Sequence, residues 1–220
     1  MMETLLVALR ATLVTLVLTG IAYPLAVTAG AQLFPYRANG SMVVDDKGRE
    51  VGSELIGQAF ADPAYLHGRP SNANYDASSS GGTNLGTTSA KLRDGMVDDP
   101  STKDVDESFT GVRQLAAQFR ADNGLLPDAE VPADAVSRSA SGLDPDVSPE
   151  TATAQASRIA RARNVTPDRV LAVIVDHSEG RELGFLGEPR VNVLAVNLAL
   201  DRVFGRPAHL AVTGGATMQR

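Results

Sequence analysis

Hydrophobic positions fall into two regimes along the chain. No charged residue occurs between Arg10 and Arg37, and this stretch carries the run Leu13-Val14-Thr15-Leu16-Val17-Leu18. A helix over 11–34 has about 24 residues and spans ~36 Å at ~1.5 Å per residue, enough for a hydrocarbon core of ~30 Å. The pattern predicts one transmembrane helix over 11–34, a short segment 1–10 before it, and a polar body over 35–220.

In the body, Ser41-Met42-Val43-Val44, the Gly-containing turn Asp45-Asp46-Lys47-Gly48, and Glu50-Val51 read as a hairpin. From Asp62 to Ser89 the composition turns to Ser, Asn, Gly and Tyr, which predicts irregular backbone. Val112, Leu115 and Phe119 recur at helical spacing before the stop Asn123-Gly124, behind a solvated acidic connection from Asp98 to Glu107. Ser148-Pro149-Glu150 and Thr166-Pro167-Asp168 each place a hydroxyl at the N-cap, proline at the first helical position and an acid in the first turn. They predict helices running to about Arg163 and about His177. Val191 to Phe204 is dense in Val and Leu; its interior Asn192, Asn197 and Asp201 leave strand, helix, or strand turning into helix open. The fold class expected is α+β: a single N-terminal transmembrane helix followed by one loop-rich α/β domain.

On an ideal 100° wheel, Thr12, Thr15, Thr19, Tyr23, Ala26 and Gly30 share one small, polar stripe of the apolar segment. Such a stripe suits close helix packing with interhelical hydroxyl bonds; alternatively each threonine bonds back to its own i−4 carbonyl. A cleaved signal peptide is a second reading of the whole segment, with Pro24 as breaker and Ala29-Gly30-Ala31 as cleavage site. Charge does not fix orientation, because Arg10 is opposed by Glu3 while Arg37, Lys47 and Arg49 lie on the far side.

Composition narrows the function. Twenty Gly, 12 Pro and 5% aromatic residues suit a loop-rich body of small side chains. A net charge of −6 opposes nucleic-acid binding, which needs a basic footprint. With no Cys, disulfides, thiol nucleophiles and thiolate metal sites are excluded. Gly81-Gly82-Thr83-Asn84-Leu85-Gly86-Thr87-Thr88 imitates a phosphate loop but lacks its lysine and follows no hydrophobic strand. His67, in Tyr65-Leu66-His67-Gly68-Arg69-Pro70-Ser71, is the one candidate base; a secreted or anchored hydrolase using His67 and a serine is the enzymatic alternative, although no G-x-S-x-G elbow accompanies it. His177 and His209 have no metal-ligand spacing to His67, so neither a metal nor a catalytic set is assigned. Ser139 to Pro145 and Gly187-Glu188-Pro189 read as tight, small-residue turns.

Taken in order, several stretches resemble the C subunit of the Kdp-type potassium-transporting ATPase. They are Thr19 to Leu25, Asn39-Gly40-Ser41, Gly52 to Gln58, Phe60 to Ser71 and Ser80 to Leu85. Ser139 to Pro145, Gln155 to Asn164, Gly187 to Leu194 and Asn197 to Asp201 continue the series. The stretch from Val97 to Ser108 looks inserted, and the tail beyond Phe204 also departs from the pattern.

The resemblance implies a non-catalytic subunit in the plasma membrane, with an uncleaved single-pass anchor, a cytoplasmic N-terminus and an extracytoplasmic body. Implied partners are a channel-like potassium-binding subunit, an ATP-hydrolysing subunit and a small stabilising peptide, besides the bilayer; nucleic acid is not among them. The family is described as a catalytic chaperone that raises the hydrolysing subunit's ATP affinity, so ATP is expected only through a ternary complex and no cofactor is held tightly. The sequence contains neither an Asp-Lys-Thr-Gly phosphorylation motif nor a Thr-Val-Gly-Tyr-Gly filter. Thr12, Thr15, Thr19 and Tyr23 are the expected transmembrane contact with a partner. The family-motif loops are Tyr65, His67, Gly68, Arg69, Pro70 and Ser71; then Ser80, Gly81, Gly82 and Asn84; then Ser141, Gly142, Leu143 and Asp144.

Overall fold

The computed structural model describes residues 1–45, 47–97 and 108–207. The acidic segment over 98–107, His209 and the rest of the tail from 208 lie outside the described residues. The chain forms two compact units, Met1–Ser53 and Glu54–Arg220.

The first unit opens with α1 (Met2–Val17), a π-helical turn (Leu18–Ala22) and α2 (Tyr23–Ala31), continuous over Met2–Ala31. Among the described residues this is the one helix long and apolar enough to cross a bilayer. It begins at Met2 rather than at residue 11 and ends at Ala31 rather than residue 34. A helix satisfies its own backbone whatever its charge, so Glu3 and Arg10 mark a polarity boundary and not a helix boundary.

The π turn has a local cause. Pro24 supplies no N–H to the carbonyl of Gly20, and Tyr23 N–H instead reaches back to Leu18 O. The Thr19 hydroxyl donates to Thr15 O at 2.8 Å and the Thr28 hydroxyl to Pro24 O at 2.8 Å, the back-bonding alternative for those two residues.

After the short α3 (Pro35–Ala38), β1 (Met42–Val44) and β2 (Glu50–Ser53) pair antiparallel, Met42 opposite Ser53 and Val44 opposite Glu50. Asp45 pins the turn. Its carboxylate accepts from the N–H groups of Lys47 and Arg49, both at 2.9 Å, and pairs with the Arg49 guanidinium at 2.6 Å. These contacts, led by the Arg49 N–H, draw its pKa down to about 2.

The second unit is built on α7 (Pro149–Arg163), α8 (Pro167–Asp176) and α9 (Val193–Phe204). They pack with a three-stranded antiparallel sheet of order β3–β5–β4, in which β3 is Asp146–Val147, β4 is Ser178–Glu179 and β5 is Arg190–Asn192. Leu66, Ile159, Val170, Ile174, Val191 and Leu200 are the fully enclosed centre. Three further helices, α4 (Ala90–Asp94), α5 (Val112–Asn123) and α6 (Ala133–Val136), complete it.

The predicted boundaries hold where the signal is local. Ser148 caps α7, accepting from Thr151 N–H at 3.1 Å, and Asn164 ends it in the left-handed conformation at φ 54°. Thr166 occupies the N-cap of α8, but its hydroxyl makes no cap bond. Val191 to Phe204 is a strand turning into a helix, and Asn192 is the hinge: its side chain caps α9 by accepting from Ala195 N–H at 3.0 Å.

Candidate functional site

Most of the motif residues converge on the segment Ala64–Ser71, which leaves a turn at Ala64 and belongs to no strand. Ala64, Tyr65 and Leu66 are buried, so their backbone groups need partners. Two side-chain amides supply them. Asn197 of α9 accepts from Leu66 N–H at 2.7 Å and donates to Leu66 O at 2.9 Å. Gln155 of α7 accepts from His67 N–H at 2.9 Å and donates to His67 O at 3.0 Å. The two amides take the place of a neighbouring β-strand.

Arginines hold the same segment from below. Arg158, 6% exposed, donates to Pro63 O (2.7 Å), Tyr65 O (3.0 Å), Asn123 Oδ1 (3.0 Å) and Gln155 Oε1 (2.6 Å). Burial lowers its pKa to about 10, opposed by the more distant Asp122 and Asp62. Arg163 donates to Ala64 O at 2.7 Å, pairs with Asp201 at 2.8 Å and lies 5.0 Å from the Tyr65 ring centroid. The Tyr65 hydroxyl donates to Asp201 at 2.9 Å; burial, with that carboxylate, raises its pKa to about 12.

Beyond His67 the three motif loops are clasped together. Arg69 pairs with Asp144 at 2.8 Å and donates to Ser137 O at 3.1 Å. The Ser71 hydroxyl donates to Gly142 O at 2.6 Å and accepts from the N–H groups of Ala73 and Tyr75. Ser141 O accepts from Gly81 N–H (2.8 Å) and the Ser80 hydroxyl (3.0 Å), while Leu143 O accepts from Gly57 N–H (2.8 Å). Backbones approach so closely that a Cβ on Gly82 would lie 2.9 Å from Ala140 O, and one on Gly57 would collide with the Asp144 carbonyl. Gly142 sits at φ 69°. Within the motif loops Asn84 stands apart, exposed at φ 55° with no side-chain bond among the described residues. Of the glycines of Gly81–Gly86, Gly82 serves loop packing, whereas a Cβ on Gly81 or Gly86 would meet nothing within 4 Å; the helix that follows, α4, is capped by the Ser89 side chain and not by these glycines.

His67 lies between a carbonyl and a guanidinium. Its Nε2 lies 2.9 Å from Asp62 O and 3.3 Å from Arg158 Nη1; the shorter contact assigns Nε2–H as donor to the carbonyl. Burial, then the Arg158 charge, lowers its pKa. The ring lines a cleft of about 150 Å³ with Leu115, Gln118, Phe119, Asp122 and Thr151. Among the described residues no serine hydroxyl bonds to His67. His177 Nδ1 sits 2.9 Å from Val173 O inside its own helix end, and no cluster of metal-binding side chains forms among the described residues.

A family model described as the K+-transporting ATPase, c chain, matches residues 5–202. The chain belongs to the KdpC family. Curated proteins named potassium-transporting ATPase KdpC subunit share its length. The one from Myxococcus xanthus is 52% identical over 93% of this chain and 90% of its own. That from Bradyrhizobium diazoefficiens is 47% identical over 86% and 92% respectively. That from Caulobacter sp. strain K31 is 50% identical over 88% and 89%. In this KdpC chain the clamp residues Gln155, Arg158, Arg163, Asn197 and Asp201 were not among the expected site residues. Their signal was present: Thr151, Gln155 and Arg158 interrupt the same face of α7 that carries Ala152, Ala156 and Ile159.

Proposed function

We propose that this chain is the accessory, membrane-anchored subunit of an ATP-driven potassium uptake pump, acting in assembly and stabilisation of the complex. The observation that carries the reading is the family match over 5–202. The geometry supports it: Tyr65, Arg69, Ser71, Ser141 and Asp144 are committed to internal hydrogen bonds, which tie the motif loops into one fixed surface. Met2–Ala31 stays attached as a single-pass anchor, with the N-terminus cytoplasmic and the body extracytoplasmic. The partners are the channel-like potassium-binding subunit, the ATP-hydrolysing subunit and the small stabilising peptide, with Thr12, Thr15, Thr19 and Tyr23 toward a neighbouring helix. A body on that side cannot touch a cytoplasmic nucleotide. Any gain in the pump's ATP affinity, the family's chaperone role, must therefore travel as coupling free energy through packed helices, and ATP is reached only through the ternary complex.

The test is deletion and complementation. Removing this chain from the co-expressed pump should lower recovery of intact complex from detergent-solubilised membranes and abolish growth on limiting potassium. Intact, active pump without it would overturn the reading, and a mature chain beginning at Gln32 would overturn the anchor.

A further inference from the structure

We propose that the main-chain carbonyl of Thr19 accepts a hydrogen bond from an uncharged side chain, a hydroxyl or a carboxamide, on a membrane helix of the channel-like subunit. The inference rests on the accessory-subunit reading and deepens it by naming the atom through which the anchor is held. In a regular helix Thr19 O would take the N–H of Tyr23. Here the Tyr23 N–H goes to Leu18 O alone, and Pro24, next in line, has none to give. Both amides within reach of Thr19 O therefore pass it over. Nearby hydroxyls do not repair this: Thr19 donates to Thr15 O and Thr28 to Pro24 O, both at 2.8 Å.

Depth decides what this carbonyl needs. Thr19 lies ~13 Å along the helix axis from Arg10 and ~18 Å from Ala31 at ~1.5 Å per residue, well inside a hydrocarbon core ~30 Å thick. That core holds neither water nor a donor of its own, so a neighbouring protein has to supply one. The approach is open, because the next residue is Gly20, where a Cβ would meet only Leu16 Cδ1 of the same helix, at 3.6 Å. A second copy of this chain is a poor source: packed in parallel about a two-fold axis it sets Thr19 against Thr19, and that hydroxyl is already spent. Polar side chains at mid-bilayer are costly and belong mainly to helices that line an ion path. Of the proposed partners, the one built around such a path is the channel-like, potassium-binding subunit. The donor is uncharged, because lysine and arginine snorkel away from that depth.

The test uses the full chain co-expressed with the other pump subunits. Pro24→Ala restores an N–H, so the helix closes regularly and the Tyr23 N–H returns to Thr19 O. The variant's membrane level should match wild type, while recovery of the channel-like subunit from detergent-solubilised membranes should fall about fivefold. Replacing Pro24 by lactic acid, the α-hydroxy analogue of alanine, removes the ring in the same way but supplies no N–H, and recovery should stay at the wild-type level. Equal recovery from all three chains would overturn the proposal; so would equal loss from both variants, which would assign the effect to the proline ring. The neighbour is read by Tyr23→p-benzoyl-phenylalanine, an aromatic exchange at an exposed residue one turn beyond Thr19. Illumination should give an adduct with the channel-like subunit, and adducts only with the hydrolysing subunit, the small peptide, a second copy or lipid would overturn the assignment. A wild-type chain that brings down no pump subunit would overturn the accessory-subunit reading itself, whereas intact recovery by Pro24→Ala overturns the Thr19 carbonyl alone.

Discussion

Arg158 is where the structure makes its most exposed wager, a buried cation with no carboxylate within 4 Å among the described residues. Arg158→Met keeps the aliphatic stem and removes the fork. Pro63 O, Tyr65 O and Asn123 Oδ1 then lose their donor, whereas Gln155 Oε1 keeps His67 N–H. An orphaned buried acceptor costs ~1–3 kcal/mol. Against this stands the desolvation that brings the guanidinium from 12.5 to about 10, which corresponds to roughly 3 kcal/mol disfavouring the charged form. At ~2 kcal/mol for each of the two buried acceptors, Tyr65 O and Asn123 Oδ1, and ~1 kcal/mol for the carbonyl of exposed Pro63, the net loss of stability is about 2 kcal/mol, which in a chain of this length lowers Tm by ~4–8 °C. Arg158→Lys keeps a desolvated charge but loses the planar fork, so it should be no better than Met.

The assay is pulse proteolysis of the full chain in detergent across a urea series, following the fragments of the second unit. A midpoint for Arg158→Met within about 1 kcal/mol of wild type would refute the reasoning. The hydrogen bonds would then only balance the desolvation, as buried charges replaced by apolar groups sometimes show, and the clamp would not hold Ala64–His67.

Three further outcomes follow from the same geometry. His67 has a folded-state pKa below 6.5 while the unfolded side chain titrates near that value; stability should be full above 6.5 and fall as pH drops toward the folded pKa, and His67→Gln should flatten that limb of a urea-midpoint-against-pH curve. Gly142→Ala adds a left-handed penalty and a Cβ 2.8 Å from that of Ala73, so it should cost ~2–4 kcal/mol by urea titration, against ~1 kcal/mol for Gly124→Ala, whose Cβ meets only the mobile end of Arg161. Thr19 already bonds its own backbone, so Thr19→Ala and Leu18→Ile should leave co-purification of pump subunits unchanged, whereas Thr19→Leu with Thr15→Leu should lower it by bulk; equal recovery from all of them would assign assembly to the second unit.

The parts of this structure legible from sequence are those decided within a few residues. Ser148-Pro149-Glu150 fixed the start of α7 because a cap, a preset φ and a dipole contact act over one turn, and Asn123-Gly124 ended α5 for the same reason. Even there the signal was composite: Thr166 marks the start of α8 although its hydroxyl caps nothing, so proline and the acid suffice. The clamp was not legible, because its partners are chosen by the fold. Leu66 meets Asn197 across 131 positions and His67 meets Gln155 across 88. The three polar residues that left Val191–Phe204 ambiguous turn out to be its purpose: Asn192 caps the helix, Asn197 pairs the Leu66 backbone, and Asp201 holds Arg163 and Tyr65. Thr151, Gln155 and Arg158 interrupt the apolar face of α7 in the same way, Thr151 donating to Asp134 at 2.7 Å. Both helices can afford polar residues facing inward because Ala64–His67 crosses them without a strand beside it, and a buried backbone without a ladder demands side-chain donors and acceptors. Polar positions inside an amphipathic helix therefore point to irregular backbone packed against it, and in this chain they point to the loops on which the family motifs lie.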